Sequence, residues 1–135
     1  AVPIPPRMKT APAVGGSLEA GVPRVLYPGL PSHPQYDLAT TQMAAGGAIL
    51  SLYLDGGRKQ AHALLDALEL VDISNNIGDS RSLMTHPSST THKGLSEEVR
   101  AQMGVEEGML RLNVGLEDPA DVIADFDQAL RKAGL

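Results

Sequence analysis

One arginine stands alone among aliphatic residues near the carboxyl end of the chain. Arg111 lies within residues 109–116, where large apolar residues alternate with other types as in a half-buried strand. Its guanidinium offers paired N–H donors in a planar fork that matches a carboxylate. Two interpretations stay open on the residues alone: a carboxylate-binding group, or a charge on the solvated face of an amphipathic strand.

A polar loop within residues 74–80 supplies the second candidate for binding. It contains Asn75, Asn76 and Gly78. The side-chain amide of Asn76 can donate a hydrogen bond to a carboxylate. Asparagine and glycine are also favoured in turns for their backbone conformation, so a purely structural interpretation of this loop stays open.

Two histidines, His86 and His92, flank a segment of one proline, two serines and two threonines. A metal pair and a serine nucleophile with a histidine base are both conceivable there. Neither is well supported, because the segment lacks Asp and Glu, a metal site needs three or four convergent ligands, and the sequence has no Gly-x-Ser-x-Gly elbow. The segment therefore predicts a hydrogen-bonded loop, and we assign no metal ligand and no catalytic residue.

Two glycine pairs raise the question of a phosphate-binding loop. Such a loop needs a Gly-rich turn at a helix N-terminus with a set spacing. The Gly46-Gly47 pair precedes a predicted strand, and the Gly56-Gly57 pair lacks the Lys-Ser/Thr that follows in a P-loop. Neither pair is assigned to a cofactor.

Composition excludes several classes of protein. The 135 residues carry a net charge of −5 with dispersed basic residues, which argues against nucleic-acid binding. No apolar run approaches the roughly 20 residues of a membrane span. The absence of cysteine excludes disulfides and thiolate metal sites and favours a cytoplasmic location.

Hydrophobic periodicity predicts alternating strands and helices. The predicted strands cover residues 22–27, 48–54, 71–74, 81–85 and 109–116, and the predicted helices cover residues 34–45, 61–68, 96–103 and 119–133. Some consecutive strands are joined by a helix and others only by a loop. This pattern predicts an α+β fold with a mixed, largely antiparallel sheet and helices packed on one face. The open face would carry Arg111, Ser51 and the Asn75-Asn76 loop.

The amino-terminal segment is harder to assign. Residues 1–7 are rich in proline and predict an extended linker. Residues 8–21 have a weak helical pattern that is interrupted by Pro12 and by the Gly15-Gly16 pair. Both features lower helix stability, so we expect a short or broken helix there.

The order of three segments, residues 75–80, 86–92 and 109–118, resembles one enzyme family, and the turn at Tyr27-Pro28-Gly29 fits it too. Together they resemble the carboxy-terminal domain of the cysteine and methionine metabolism enzymes that use pyridoxal phosphate. These are fold-type I enzymes and include cystathionine synthases and lyases, methionine lyase and acylhomoserine sulfhydrylases. The resemblance covers about residues 7–135.

The resemblance implies a cofactor and a site. Family members hold pyridoxal phosphate on a lysine of a preceding domain, and the Ser/Thr-x-x-Lys-Tyr segment that carries this lysine does not occur here. The implied division is a linker and entry helix from that domain at residues 1–21 and a substrate-binding domain at residues 22–135. Arg111 falls where the arginine for the substrate α-carboxylate falls, with Asn76 as its helper. The isolated chain is predicted to be inactive.

The resemblance also implies partners and a branch. The partners are an amino-acid substrate, the pyridoxal phosphate domain of the parent enzyme and, in full length, three further subunits of a homotetramer. The motifs look most like the O-succinylhomoserine sulfhydrylases, which replace the succinyl group with sulfide to make homocysteine. The alternatives are the cystathionine γ-synthase or methionine γ-lyase branch, or a free-standing module that binds an amino acid or a protein without catalysis.

Overall fold

A computed structural model describes residues 6–135, with side chains from Lys9 onward. Most of the linker predicted for residues 1–7 therefore lies outside the described residues. The helices are α1 (Pro6–Glu19), α2 (Tyr36–Gln42), α3 (Gly57–Ala67), α4 (Glu97–Gln102) and α5 (Pro119–Lys132), with a 3-10 turn at Pro87–Ser89. The strands are β1 (Arg24–Leu26), β2 (Ile49–Tyr53), β3 (Asp72–Ile73), β4 (Leu83–Thr85) and β5 (Met109–Asn113).

The strands form one sheet in the order β1-β2-β5-β4-β3. The pairs β1–β2, β2–β5 and β5–β4 are antiparallel, and only β3 runs parallel to its neighbour β4. The predicted α+β fold with a mixed, largely antiparallel sheet is confirmed.

Strand alternation separates the two faces of the sheet. Leu50 and Leu52 of β2 lie opposite Leu112 and Leu110 of β5, and all four are almost completely buried. Helices α1, α3 and α5 cover this face and contribute the rest of the core, whose buried members include Ala11, Val14, Leu18, Ala61, Leu64, Val122, Phe126 and Ala129. The residues that alternate with these leucines along β2 and β5 lie on the opposite face of the sheet, as the two-residue period of a strand predicts.

Helix α1 corrects the expectation of a short or broken helix. It runs unbroken for 14 residues although Pro12 lies inside it. Proline removes one N–H donor from the helical ladder, a local cost. Ala11, Val14 and Leu18 are at most 2% exposed, so burial against the sheet and α5 stabilises the helix more than its own sequence does.

Helix α5 begins and ends where its sequence predicts. Asp118 caps it by accepting a hydrogen bond from the Ala120 amide at 2.8 Å, and Pro119 occupies the first turn. Gly134 follows the helix with a φ of 77°, a conformation that favours glycine. Among the described residues, none of the helices has the length and apolar character of a membrane span.

Two glycines bracket strand β5 and hold it close to its neighbours. A Cβ on Gly108 would lie 1.9 Å from the Leu54 carbonyl oxygen, and one on Gly115 would lie 2.5 Å from the Ser80 carbonyl oxygen. Glycine is therefore required at both positions. Strand β5 itself ends at Asn113, which is shorter than the strand predicted for residues 109–116.

Candidate functional site

Arg111 lies at the middle of the open face. On β5 its neighbours in register are Ser51 of β2 and Thr85 of β4. The side chain is half-buried, and its Nη2 donates a hydrogen bond to the Asn75 carbonyl oxygen at 2.9 Å. The structure thus brings Arg111 and the Asn75-Asn76 loop together, although they are 36 residues apart in the chain.

Side chains of the sheet hold this loop in place. Thr85 Oγ1 donates to Asn75 Oδ1 at 2.7 Å, and the Gly78 amide donates to Asn113 Oδ1 at 3.1 Å. Gly78 itself has a φ of 79°, which explains the glycine. The loop is therefore hydrogen-bonded at Asn75 to β4, which lies beside Arg111, and at Gly78 to β5, which carries Arg111.

Asn76 presents an exposed side-chain amide beside this arrangement. Its backbone amide donates to Ser74 Oγ at 3.2 Å. Within residues 9–135 no group of the molecule hydrogen-bonds to the Asn76 side chain. The amide is therefore free to contact a ligand, next to the residue whose carbonyl holds Arg111.

The charge on Arg111 lacks a counterion within the described part of the chain. Four other arginines lie within 4 Å of a carboxylate, namely Arg24, Arg58, Arg81 and Arg100. A half-buried cation without an anion is costly, and the hydrogen bond to Asn75 uses one of the five N–H donors of a guanidinium. The remaining donors can bind an anion, and a planar carboxylate is the best match.

His86 belongs to a different part of the molecule. It follows Thr85 of β4, so its side chain leaves the sheet on the side opposite Arg111. His86 is 2% exposed, its Nε2 donates to the Glu107 carbonyl oxygen at 2.6 Å, and its Nδ1 lies 2.7 Å from Ser89 Oγ. His62 of α3 packs edge-on against it with a ring separation of 4.8 Å.

His86 is thus a buried side chain with both ring nitrogens in hydrogen bonds. Burial lowers the pKa of His86 below its ordinary value, while the bond to the Glu107 carbonyl opposes the shift. His92 does not pair with His86, since its Nδ1 lies 2.7 Å from Thr91 Oγ1. Over the described range no group of three or more His, Cys, Asp or Glu side chains could hold a metal ion. The segment is the hydrogen-bonded loop that its sequence predicts.

The Tyr27-Pro28-Gly29 turn packs against the segment that precedes β2. Tyr27 is 1% exposed and its hydroxyl donates to the Gly47 carbonyl oxygen at 2.9 Å. The same turn lines a shallow cavity of about 270 Å³ together with Pro12 and residues of α2. Its polar lining consists of the hydroxyl groups of Tyr27, Tyr36 and Thr40 and of backbone groups, with no His, Asp, Glu or Lys among the residues that line it.

The lysines stand apart from all of these features. Every lysine of the chain is exposed, and Lys132 pairs with Glu69 at 2.6 Å. None lines any of five cavities found among the described residues.

Two residues that build the site were not assigned to it from the sequence. Asn113 follows Arg111 by two positions on one strand, and the period of two already places it on the same face, although it does not show the contact with Gly78. Thr85 lies beside Arg111 only because β4 pairs with β5, a neighbour relation that local sequence does not carry.

Comparison with known proteins gives consistent results. The family model for Cys/Met metabolism PLP-dependent enzymes matches residues 9–131. The O-succinylhomoserine sulfhydrylase of Mycobacterium tuberculosis is 51% identical over 110 residues, covering 78% of this chain and 27% of that protein. The L-methionine gamma-lyase of Pseudomonas putida is 45% identical over 105 residues, covering 78% and 26%.

Solved structures agree with the fold. The cystathionine gamma synthase of Xanthomonas oryzae, solved with aminoacrylate and cysteine, superposes with a TM-score of 0.89 at 34% identity, covering 96% of this chain and 34% of that one. The chain thus spans roughly a quarter to a third of the proteins it resembles. The match of the family model over nearly the whole chain shows that it belongs to the family of pyridoxal phosphate-dependent enzymes of cysteine and methionine metabolism.

Proposed function

We propose that this chain is the substrate-gripping part of a longer enzyme, in which Arg111 binds the α-carboxylate of an amino-acid substrate and Asn76 assists it. The observation that carries the proposal is a half-buried guanidinium on an open sheet face, without a counterion among the described residues. A charge-assisted, two-point contact of this kind orients the substrate as well as holding it.

The cofactor of the family does not fit this chain alone. Pyridoxal phosphate supplies an electron sink when it is bound, and it needs a lysine in a pocket. Here the lysines are exposed, and none lines any of the five cavities described above. We propose that another part of the same polypeptide holds the cofactor and that the open face of the sheet turns toward it.

The proposed parent polypeptide can be tested without a protein sample. Sequencing the DNA immediately upstream of the codon for Ala1 should reveal a continuous reading frame with a lysine-bearing cofactor domain. A stop codon in that frame would contradict the proposal. We further propose that the full-length enzyme is a homotetramer, which light scattering on the purified protein would test.

For the reaction, we propose γ-replacement on O-succinylhomoserine by sulfide, which forms homocysteine and succinate. The support is the 51% identity to the Mycobacterium tuberculosis sulfhydrylase and 43% to that of Pseudomonas aeruginosa. Methionine γ-lyase activity is the second candidate, because relatives of that name are 41 to 45% identical.

Product analysis separates the two reactions. The full-length enzyme should form homocysteine from O-succinylhomoserine and sulfide without releasing ammonia. Release of ammonia and a 2-oxo acid from methionine, with no homocysteine formed, would favour the γ-lyase assignment.

The role of Arg111 is tested by kinetics of the full-length enzyme. Arg111→Ala should raise KM strongly and lower kcat/KM by at least about tenfold, because a charge-assisted contact to the carboxylate is lost. Arg81→Ala is the matched control, since it removes an exposed arginine that pairs with Asp72 of β3. Unchanged kinetics in Arg111→Ala would refute the assignment.

A further inference from the structure

Asn113 is a buried polar residue beside the proposed carboxylate site. It lies on the same face of β5 as Arg111, two residues away, and is 2% exposed. Its Oδ1 accepts a hydrogen bond from the Gly78 amide at 3.1 Å. Asn113 therefore connects the strand that carries Arg111 to the loop that contains Asn76.

Among the described residues, only one of the two polar groups of the Asn113 side-chain amide has a hydrogen-bond partner. Its Nδ2 is buried and has no hydrogen-bond partner within residues 9–135. Turning the amide over would not help, because the Gly78 N–H is a donor and would then face the NH₂ group. An unmet buried donor is destabilising, so packing alone would be served better by an apolar side chain of the same shape.

The loop and Arg111 constrain each other through this contact. Gly78 is fastened by Asn113, while Asn75 is fastened by Thr85 and in turn accepts the hydrogen bond of Arg111. Loss of the hydrogen bond between Gly78 and Asn113 would allow the part of the loop around Asn76 to move. The Asn75 carbonyl oxygen, which orients the Arg111 guanidinium, would then be held less firmly. The effect on a ligand would be exerted through geometry, because the Nδ2 of Asn113 is itself inaccessible.

We propose that Asn113 is a positioning residue for substrate binding: its side chain anchors the Asn75–Gly78 loop and thereby sets the orientation of Arg111 and Asn76 toward the carboxylate of the amino acid. The part that concerns substrate rests on the function proposed above. The part that concerns the loop rests on the hydrogen bonds alone.

Asn113→Leu tests the proposal, because leucine keeps the approximate shape and removes both polar groups. Amide hydrogen exchange on the chain should be about tenfold faster at Gly78, with little change at strand residues such as Leu112. The urea midpoint should be unchanged or higher. In the full-length enzyme KM for the amino-acid substrate should rise about threefold to tenfold, with kcat within about twofold.

Ile49→Ala is the matched control. Ile49 lies opposite Asn113 on β2, on the side of β5 away from β4 and the loop. This variant should leave both the exchange of Gly78 and KM unchanged.

Three results decide the matter. Faster exchange at Gly78 together with a higher KM in Asn113→Leu supports the proposal. Unchanged exchange overturns the anchoring role, and unchanged KM with faster exchange overturns the positioning role. If Arg111→Ala also leaves KM unchanged, the function proposed for Arg111 fails, and the exchange result alone still decides whether Asn113 anchors the loop.

Discussion

Asp125 on α5 is predicted to be the most important carboxylate for the stability of this domain. It is 7% exposed and points into the junction between α3 and β3. Its Oδ2 accepts from the Leu70 and Val71 amides at 2.8 and 2.9 Å, and its Oδ1 accepts from the Glu69 amide at 2.9 Å. Gln128 Nε2 also donates to Oδ1, at 2.9 Å.

Asp125→Asn should destabilise the fold by about 2–4 kcal/mol. One carboxylate oxygen becomes an NH₂ group that faces two donors, and the bonds that remain lose the negative charge. Hydrogen bonds to a charged group contribute about 1.5–3 kcal/mol each. Glu69 and Leu70 are exposed, so water can replace part of the lost hydrogen bonding. The expected loss of stability is therefore smaller than that of two full hydrogen bonds to a charged group.

Urea unfolding followed by far-ultraviolet circular dichroism measures the change. Asp127→Asn is the control, because Asp127 is exposed on the same helix, and its effect should stay within about 0.5 kcal/mol. Equal stabilities for the two variants would refute the argument that Asp125 fastens the segment before β3.

The same carboxylate makes stability depend on pH. Burial raises the pKa of Asp125, but the hydrogen bonds from the Val71, Glu69 and Leu70 amides and Gln128 outweigh it, so the pKa lies below its ordinary value of 3.8. The contribution of ionised Asp125 to the free energy of unfolding is therefore present above pH 3.8 and is lost as the pH falls through the pKa of Asp125 in the folded chain. Asp125→Asn should therefore lose less stability than the parent chain on acidification.

Two further predictions concern a histidine and the lysines. Because burial lowers the pKa of His86 below 6.5, the unfolded chain binds the proton more readily, and stability should fall as the pH drops from above 6.5 through the folded pKa. Urea unfolding should show a weaker fall in His86→Asn than in the parent chain or His92→Asn, and an identical fall in all three would contradict this. The isolated chain, incubated with pyridoxal phosphate and borohydride, should show by mass spectrometry no stoichiometric adduct at a single lysine. One such adduct would overturn the inference that the cofactor lysine lies elsewhere, whether it formed at Lys9, Lys59, Lys93 or Lys132.

Local sequence patterns predicted the elements that carry the site. The period of two in β5 correctly separates Leu110 and Leu112, which face the core, from Arg111, which does not. The helical period and the cap at Asp118 likewise predict α5. These features depend on residues that are neighbours in the chain, so they can be inferred without knowing the fold.

Features that depend on tertiary packing were not predictable in this way. Pro12 signals a break in α1, yet burial of Ala11 and Val14 keeps the helix continuous. Asp125 on an otherwise amphipathic helix resembles a solvated charge, although it lies at inward spacing between Val122 and Ala129. Its partners are backbone amides more than 50 residues earlier, which no local pattern reveals.

The candidate site was predicted from the family resemblance and not from periodicity. On the residues alone, Arg111 on an outward strand face is better explained as a solvated charge than as a binding group. The hydrogen bond to Asn75 requires that β4 lie between β3 and β5, and this order follows from the packing of the whole sheet. The structure adds two observations to the argument for Arg111: it has no counterion among the described residues, and Thr85 and Asn113 anchor the loop beside it.

The central claim is that Arg111 recognises the carboxylate of the substrate, and a double-mutant cycle between enzyme and substrate tests it most directly. The measurement is kcat/KM of the full-length enzyme and its Arg111→Ala variant, each with the amino-acid substrate and with its α-carboxamide analogue. The parent enzyme should lose at least about tenfold on the carboxamide, corresponding to about 1.4 kcal/mol or more, while the variant should discriminate little between the two. Equal discrimination by both enzymes would show that the carboxylate is bound by another group.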